Sequence, residues 1–209
     1  MEENKGSLKI EQINCMPIGW SGTTVCFIFT NLCFLFWGNL LGLLPEGSTL
    51  TVGVTQIGVL ISYHICAAKT FNTGDSFTAN IFMIFATFFG GVGGLNNILS
   101  AIAPKAGIEY NGTAIGYCWI ICGLFLLGIL PACLNETWIT FILYLLAGIA
   151  LFLLGLVTLS IAHGSASAVV AWLLFIVGVL GLYMTFSAMF GFVGKSLPMG
   201  PPVRKKKIS

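Results

Sequence analysis

The stretch Asn14–Leu32, NCMPIGWSGTTVCFIFTNL, decides the fold. It is where a polar, charged N-terminus turns into a run of hydrocarbon length. The run opens with Asn14, Pro17 and Gly19, continues through Ser21, Thr23 and Thr24, and meets a second asparagine at Asn31. Proline near a helix start costs little, because its missing N–H would be unpaired there anyway. Asparagine just before it can cap the free N–H groups of the first turn. The mouth of such a helix presents N–H donors and the positive end of the dipole, which suits an anion. Without an anion, the same residues make a capped membrane helix with small residues for packing.

The rest of the chain follows the same pattern. Of 209 residues, 57% are hydrophobic and 8% charged, too few charges for a soluble domain. The acids are Glu2, Glu3, Glu11, Glu46, Asp75, Glu109 and Glu136, and the bases are Lys5, Lys9, Lys69, Lys105, Lys195, Arg204 and Lys205 to Lys207. All lie outside the long apolar runs. A span needs about 20 mostly apolar residues. Six stretches qualify, near Pro17–Trp37, Thr51–Ala68, Phe77–Leu99, Gly112–Cys133, Trp138–Ile161 and Ala166–Val193. The expected fold is therefore an all-α membrane protein with six transmembrane helices in one bundle. Residues 1–15 form an N-terminal segment, 16–194 the membrane domain and 195–209 a basic tail. Leu40–Leu44 is an apolar shoulder, too short to cross and suited to the interface.

An even number of spans puts both termini on one side. With the basic tail cytosolic, Lys5, Lys9, Lys69, Lys195 and the four tail bases lie inside and only Lys105 outside. The tail can also hold an anionic inner leaflet. Asn111-Gly-Thr113 is then a sequon on the outside, close to a span. The net charge of +2 is a cytosolic flank and not a nucleic-acid face. Of seven cysteines, Cys118 and Cys122 lie one turn apart, but with no histidine or acid beside them they read as small hydrophobes and not as a metal pair. Neither a disulfide framework, a phosphate loop nor a nucleophile–base motif is visible, so no enzyme, metal or cofactor is expected.

No charged side chain lies within a span. His64 and His163 are the groups that titrate near neutral pH, and both fall near span ends. What remains inside is uncharged and polar: Thr23, Asn31, Gln56, Ser62, Asn80, Asn96, Asn97, Thr140 and Ser160. Amides in hydrocarbon are expensive unless paired. They either glue helices together or line a wet path for small polar solutes. Gly90-Gly-Val-Gly-Gly94 and Gly38…Gly42 have the spacing of close helix packing.

These residues resemble the acetate–succinate permease family, whose hallmark is Asn-Pro-Ala-Pro-Leu-Gly-Leu at the start of the first span. Here it reads Asn14-Cys-Met-Pro17-Ile-Gly19-Trp20, with the first proline lost. The likeness continues through Gly22 to Asn31-Leu32, and Gly53-Val-Thr-Gln56 is similar to the family's Gly-Leu-Ala-Gln. After an insertion, Gly74-Asp-Ser-Phe77 followed by Phe82 and Phe85-Ala86 looks like its Gly-Asn-Thr-Phe break and Ser-Tyr-Gly. Leu197-Pro-Met-Gly200 is similar to its terminal Leu-Pro-Val/Ile-Gly.

The resemblance implies a pore in every protomer, assembly as a homo-hexamer in the lipid bilayer, and passive or proton-gradient-driven passage of acetate and similar small monocarboxylates, extending to the dicarboxylate succinate. The location expected is the plasma membrane. The resemblance places substrate contacts at Asn14, Pro17 and Gly19, and of the uncharged polar residues within the spans Thr23, Asn31, Gln56 and Asn80 are those expected to line the path. The family's Phe, Tyr and Leu constriction maps onto Thr23, Phe85 and either Leu146 or Ala147. Tyr63 stands where the family often carries an acid. Two other readings fit the same composition: a urea or ammonium channel of the same plan, and a non-transporting membrane protein of signalling or assembly. A pore lined by Gln56 and Asn80 favours transport; the same amides bonded between packed helices, with no void, favour the last.

Overall fold

A computed structural model describes residues 22–195 and 197–204. Six helices are long and apolar enough to cross a bilayer: α1 (Gly22–Leu40), α2 (Ser48–Asn72), α3 (Ser76–Ile102), α4 (Gly112–Ile129), α5 (Trp138–Thr158) and α6 (Ala166–Gly191). The chain is an integral membrane protein. The observed ends differ from the expected spans by a few residues. α2 is the most extended, running to Asn72 because Lys69 and Thr70 continue its last turn.

The helices alternate in direction, and each packs on its neighbour in the chain, with α6 returning to α1. The result is a closed ring of six. The 73–75 loop, the 130–137 loop and the C-terminal segment lie together at one end, here called the tail end. The 41–47 and 159–165 turns lie at the other.

Three close crossings fasten the ring, and glycine makes each of them. Between α2 and α3, a Cβ on Gly90 would lie 2.5 Å from the Leu60 nitrogen, and one on Gly94 would lie 3.0 Å from the Gly53 carbonyl. The Gly90–Gly94 run therefore acts as the expected packing face. Between α4 and α5, Gly116 and Gly123 oppose Gly155 and Gly148, and a Cβ on Gly123 would meet the Phe152 nitrogen at 2.5 Å. Between α1 and α6, Thr30 Oγ1 donates to the Gly178 carbonyl at 3.3 Å, while Gly181 leaves room for the same hydroxyl. In a lipid solvent such approaches hold helices together through dispersion, since apolar burial alone gives little preference over lipid.

Gly38…Gly42 does something else. Gly42 lies beyond α1 with φ +67°, and the bonds from Leu43 N to Gly38 O at 2.8 Å and from Gly42 N to Asn39 O at 3.1 Å close the helix end. Leu40–Leu44, the apolar shoulder, thus forms the closing turn of α1. Midway along α3, residues Ala86–Val92 widen into a π-helix. Such a segment shifts the register of everything after it and is frequent at functional sites.

Candidate functional site

A cavity of about 300 Å³ lies along the ring and opens at the tail end. All six helices contribute to its wall. Val25, Cys26 and Phe29 come from α1, Tyr63 from α2, and Ile81, Phe82 and Phe85 from α3. Leu126 comes from α4, Leu143, Tyr144 and Ala147 from α5, and Met184 from α6. The rim carries Asp75, Phe77, Thr78, Glu136, Thr137 and Thr140, together with Met199 of the C-terminal segment. No basic residue lines this space among the described residues.

The rim is shaped by helix starts. The Asp75 carboxylate accepts from the Thr78 N–H at 3.0 Å and caps α3. Thr137 caps α5, and its hydroxyl lies 3.0 Å from that of Thr140. Asp75 and Glu136 are both exposed. Just outside the wall, Cys133 is fully buried at the turn before Glu136. Burial, with the Glu136 charge second, pushes its thiol up to about 11.

Deeper in, the cavity ends on aromatic rings. Phe89, 2% exposed, is the centre of this plug. Its ring lies 5.6 Å from Phe36, 5.4 Å from Trp119, 6.3 Å from Phe85 and 6.5 Å from Phe29. Tilted and edge-to-face contacts in this range are favourable for ring quadrupoles. The π-helical turn carries Phe89. Behind it, Gln56 donates from Nε2 to the Phe89 carbonyl at 2.7 Å, and Asn97 donates to Gln56 Oε1 at 2.6 Å. The two amides pair each other and a backbone carbonyl, so neither is an unpaired polar group in hydrocarbon.

Among the residues singled out by sequence, Asn14, Pro17 and Gly19 lie outside the described residues. Phe85 lines the cavity and touches the plug. Gln56 is fully buried behind the plug rather than in the cavity wall. Thr23 is buried and does not line the cavity. Leu146 packs half-buried against the core, while Ala147 faces the cavity. Asn31 is exposed on the outer surface of α1. Asn80 is exposed too, and its amide donates to the Ser76 carbonyl of its own helix at 2.7 Å. His64 donates from Nδ1 to the Leu60 carbonyl at 2.8 Å, away from the cavity. The rings packed at the deep end of the cavity are Phe29, Phe36, Phe85, Phe89 and Trp119, and of these the constriction expected from sequence named Phe85 alone. The signals were present: Phe29 and Phe36 are seven residues apart, and Phe85 and Phe89 four, each pair on one helical face next to glycine-rich packing.

The fold and the cavity define a six-span helical membrane protein with a chamber closed by aromatic rings. No family model matches the chain, and no curated protein matches it.

Proposed function

We propose that the protein is a channel or permease for acetate and similar small monocarboxylates, admitted from the tail end in their neutral, protonated form. The observation that carries this reading is a chamber to which every helix contributes, ending on a cluster of packed aromatic side chains. An inert packing bundle has no use for such a space, because interiors otherwise close to organic-crystal density. The lining supports a neutral solute. It offers hydroxyls at Thr78, Thr137, Thr140 and Tyr144 among apolar walls, and two carboxylates at the rim with no basic residue in the lining among the described residues. A carboxylate anion would lose its hydration there without a counter-charge. The protonated acid keeps one donor and one acceptor and loses far less.

In this reading the tail end faces the cytosol, since that side holds the excess of lysine and arginine. The protein sits in the plasma membrane as a homo-hexamer, the arrangement the motif likeness implies. The rim also favours a second reading, a channel for urea or ammonium-type solutes, because two carboxylates and no base suit a neutral amide or a cation.

The test is uptake of labelled acetate, urea and methylammonium into proteoliposomes at pH 5 and pH 7, with Asn14→Ala and Phe89→Ala in parallel. Acetate uptake that rises toward pH 5 beyond that of empty liposomes, and responds to Phe89→Ala, supports the monocarboxylate reading. Uptake of urea or methylammonium alone moves the conclusion to the second reading. No protein-dependent uptake of any of the three leaves a non-transporting membrane protein.

A further inference from the structure

The C-terminal segment lies across the open end of the chamber. Residues 197–204 fold back from α6 across the tail end and dock along the 134–138 turn. Trp138 N–H donates to the Pro201 carbonyl at 3.3 Å, Val203 N–H to Glu136 O at 3.1 Å and Arg204 N–H to Leu134 O at 2.8 Å. Thr137 and Pro202 form an antiparallel bridge. At the α6 side, Tyr183 donates its hydroxyl to Pro198 O at 2.8 Å and Ser187 donates to Leu197 O at 3.3 Å. Residues 197–204, part of the stretch expected to be a basic cytosolic tail, are thus held at both ends over the mouth.

What this segment puts into the mouth is Met199. The chain turns at Gly200, with φ +79°, a conformation that favours glycine. The preceding residue, Met199, packs half-buried on the core and forms part of the cavity wall. Methionine is unbranched and polarizable, suited to filling an irregular opening without a fixed fit. Pro198, Pro201 and Pro202 hold the segment extended and remove three donors, so it can neither wind into a helix nor pair along its full length. Attachment by a few bonds near the surface, with one inserted side chain, marks an element that opens at low cost compared with the helices around it.

We propose that residues 197–203 are a strap that gates the tail end of the chamber, with Met199 as its stopper. Release of the strap widens the rim between Asp75 and Glu136; docking narrows it. The proposal rests on reading the cavity as a solute chamber, and its test is read without any solute.

The reporter is Ala147→Cys on the cavity wall, in a full-length chain whose native cysteines are replaced by alanine and which is reconstituted in nanodiscs. The rate of labelling by a small water-soluble methanethiosulfonate is compared in four chains: unaltered strap, Met199→Ala, Tyr183→Phe, and a chain ending at Lys195. Strap removal is expected to speed labelling about tenfold, with Met199→Ala and Tyr183→Phe in between, as for a site exposed by local opening. Equal labelling in all the chains that fold, judged by gel filtration and melting temperature, overturns the proposal. If the truncated chain does not fold, the two single substitutions decide it in the same way. Strap-dependent labelling in a protein that carries no acetate, urea or methylammonium supports the strap and defeats the transport reading. Acetate uptake with strap-independent labelling does the reverse.

Discussion

Gln56 and Phe89 are joined across the α2–α3 crossing by a 2.7 Å bond from a side-chain amide to a backbone carbonyl, at the point where α3 widens into a π-helix. The bond ties the position of the plug to the packing of two helices. Asn97 completes it by donating to the other end of the same amide. Gln56→Leu keeps the volume and leaves both the Asn97 amide and the Phe89 carbonyl short of a partner. The expected loss is about 1–3 kcal/mol, read as a lower melting temperature in detergent. Asn97→Ala on top of Gln56→Leu should cost less than the sum of the two single changes, since the pair acts together. Strict additivity would show that the amides act separately.

The helix crossings make a contrast that thermal unfolding can read directly. Gly123→Ala must push a methyl to within 2.5 Å of the Phe152 backbone nitrogen, and Gly155→Ala one to within 2.5 Å of the Gly116 carbonyl. Backbone cannot step aside as a side-chain tip can, so each should destabilise by about 1–3 kcal/mol or more. Gly58→Ala and Gly128→Ala find nothing within 4 Å and should be neutral or gain up to about 1 kcal/mol of helix propensity. A similar loss at all four sites would mean that the crossings are not where the ring is fastened.

Cys133 gives a pH signature. Its thiol titrates ordinarily near 9.0 and is pushed up to about 11 by burial and then by Glu136. A raised value means that the folded state favours the neutral thiol. The corresponding stability is present in full below pH 9.0 and fades as the pH rises toward 11. Unfolding curves between these values should therefore steepen their decline in the native chain relative to Cys133→Ala. The same burial keeps Cys133 unalkylated at neutral pH in the folded protein. Parallel pH profiles for the two chains would remove Cys133 as the cause.

The number of spans and their order were legible in the sequence because a long run without charge has few alternatives. Which side of each span faces inward was not. In water a buried face is marked by apolar residues, but a helix in lipid is apolar all round. Phe27 and Phe29 are two residues apart and chemically identical, yet the first is 56% exposed on the outside and the second lines the cavity. Polar residues misled for the same reason. Asn80 satisfies itself on its own helix, and Asn31 sits on the outer surface, whereas Gln56 is the amide that joins two helices. Glycine spacing was the more informative mark, since Gly116 and Gly123 recur at seven residues and so do their partners Gly148 and Gly155.

The plug predicts opposite effects on flux and stability. Phe89→Ala removes the ring that touches Phe29, Phe36, Phe85 and Trp119 and should cost about 3–5 kcal/mol of stability. In proteoliposomes it should raise protein-dependent solute flux, because the deep end of the chamber is left with a gap. Phe89→Leu should show both effects more weakly. Phe27→Ala, on the outer surface, should leave flux unchanged. Flux that falls with stability in Phe89→Leu would show that the ring supports the path and does not block it.

Asp75 and Glu136 stand at the rim of the cavity, where their charge would act on any solute that the proposed path admits. Asp75 and Glu136 are exposed, so their fields are screened beyond about 8 Å at physiological ionic strength and act mainly at the mouth itself. Asp75→Asn keeps an acceptor for the Thr78 N–H, since asparagine caps a helix about as well as aspartate, and removes only the charge. Glu136→Gln likewise leaves the backbone carbonyl that receives Val203 N–H. The double variant should therefore fold as the native chain does. Acetate admitted as the neutral acid should enter the variant and the native chain alike, whereas passage of the anion would show as a rise at pH 7 that shrinks as salt is added. At pH 5 that rise would narrow, because more of the acid arrives uncharged. Methylammonium uptake, where present, should fall in the same variant. A rise in acetate uptake at pH 7 in the double variant would show that the anion passes and would overturn entry as the neutral acid, while unchanged methylammonium uptake, where present, would show that the cation does not pass between Asp75 and Glu136.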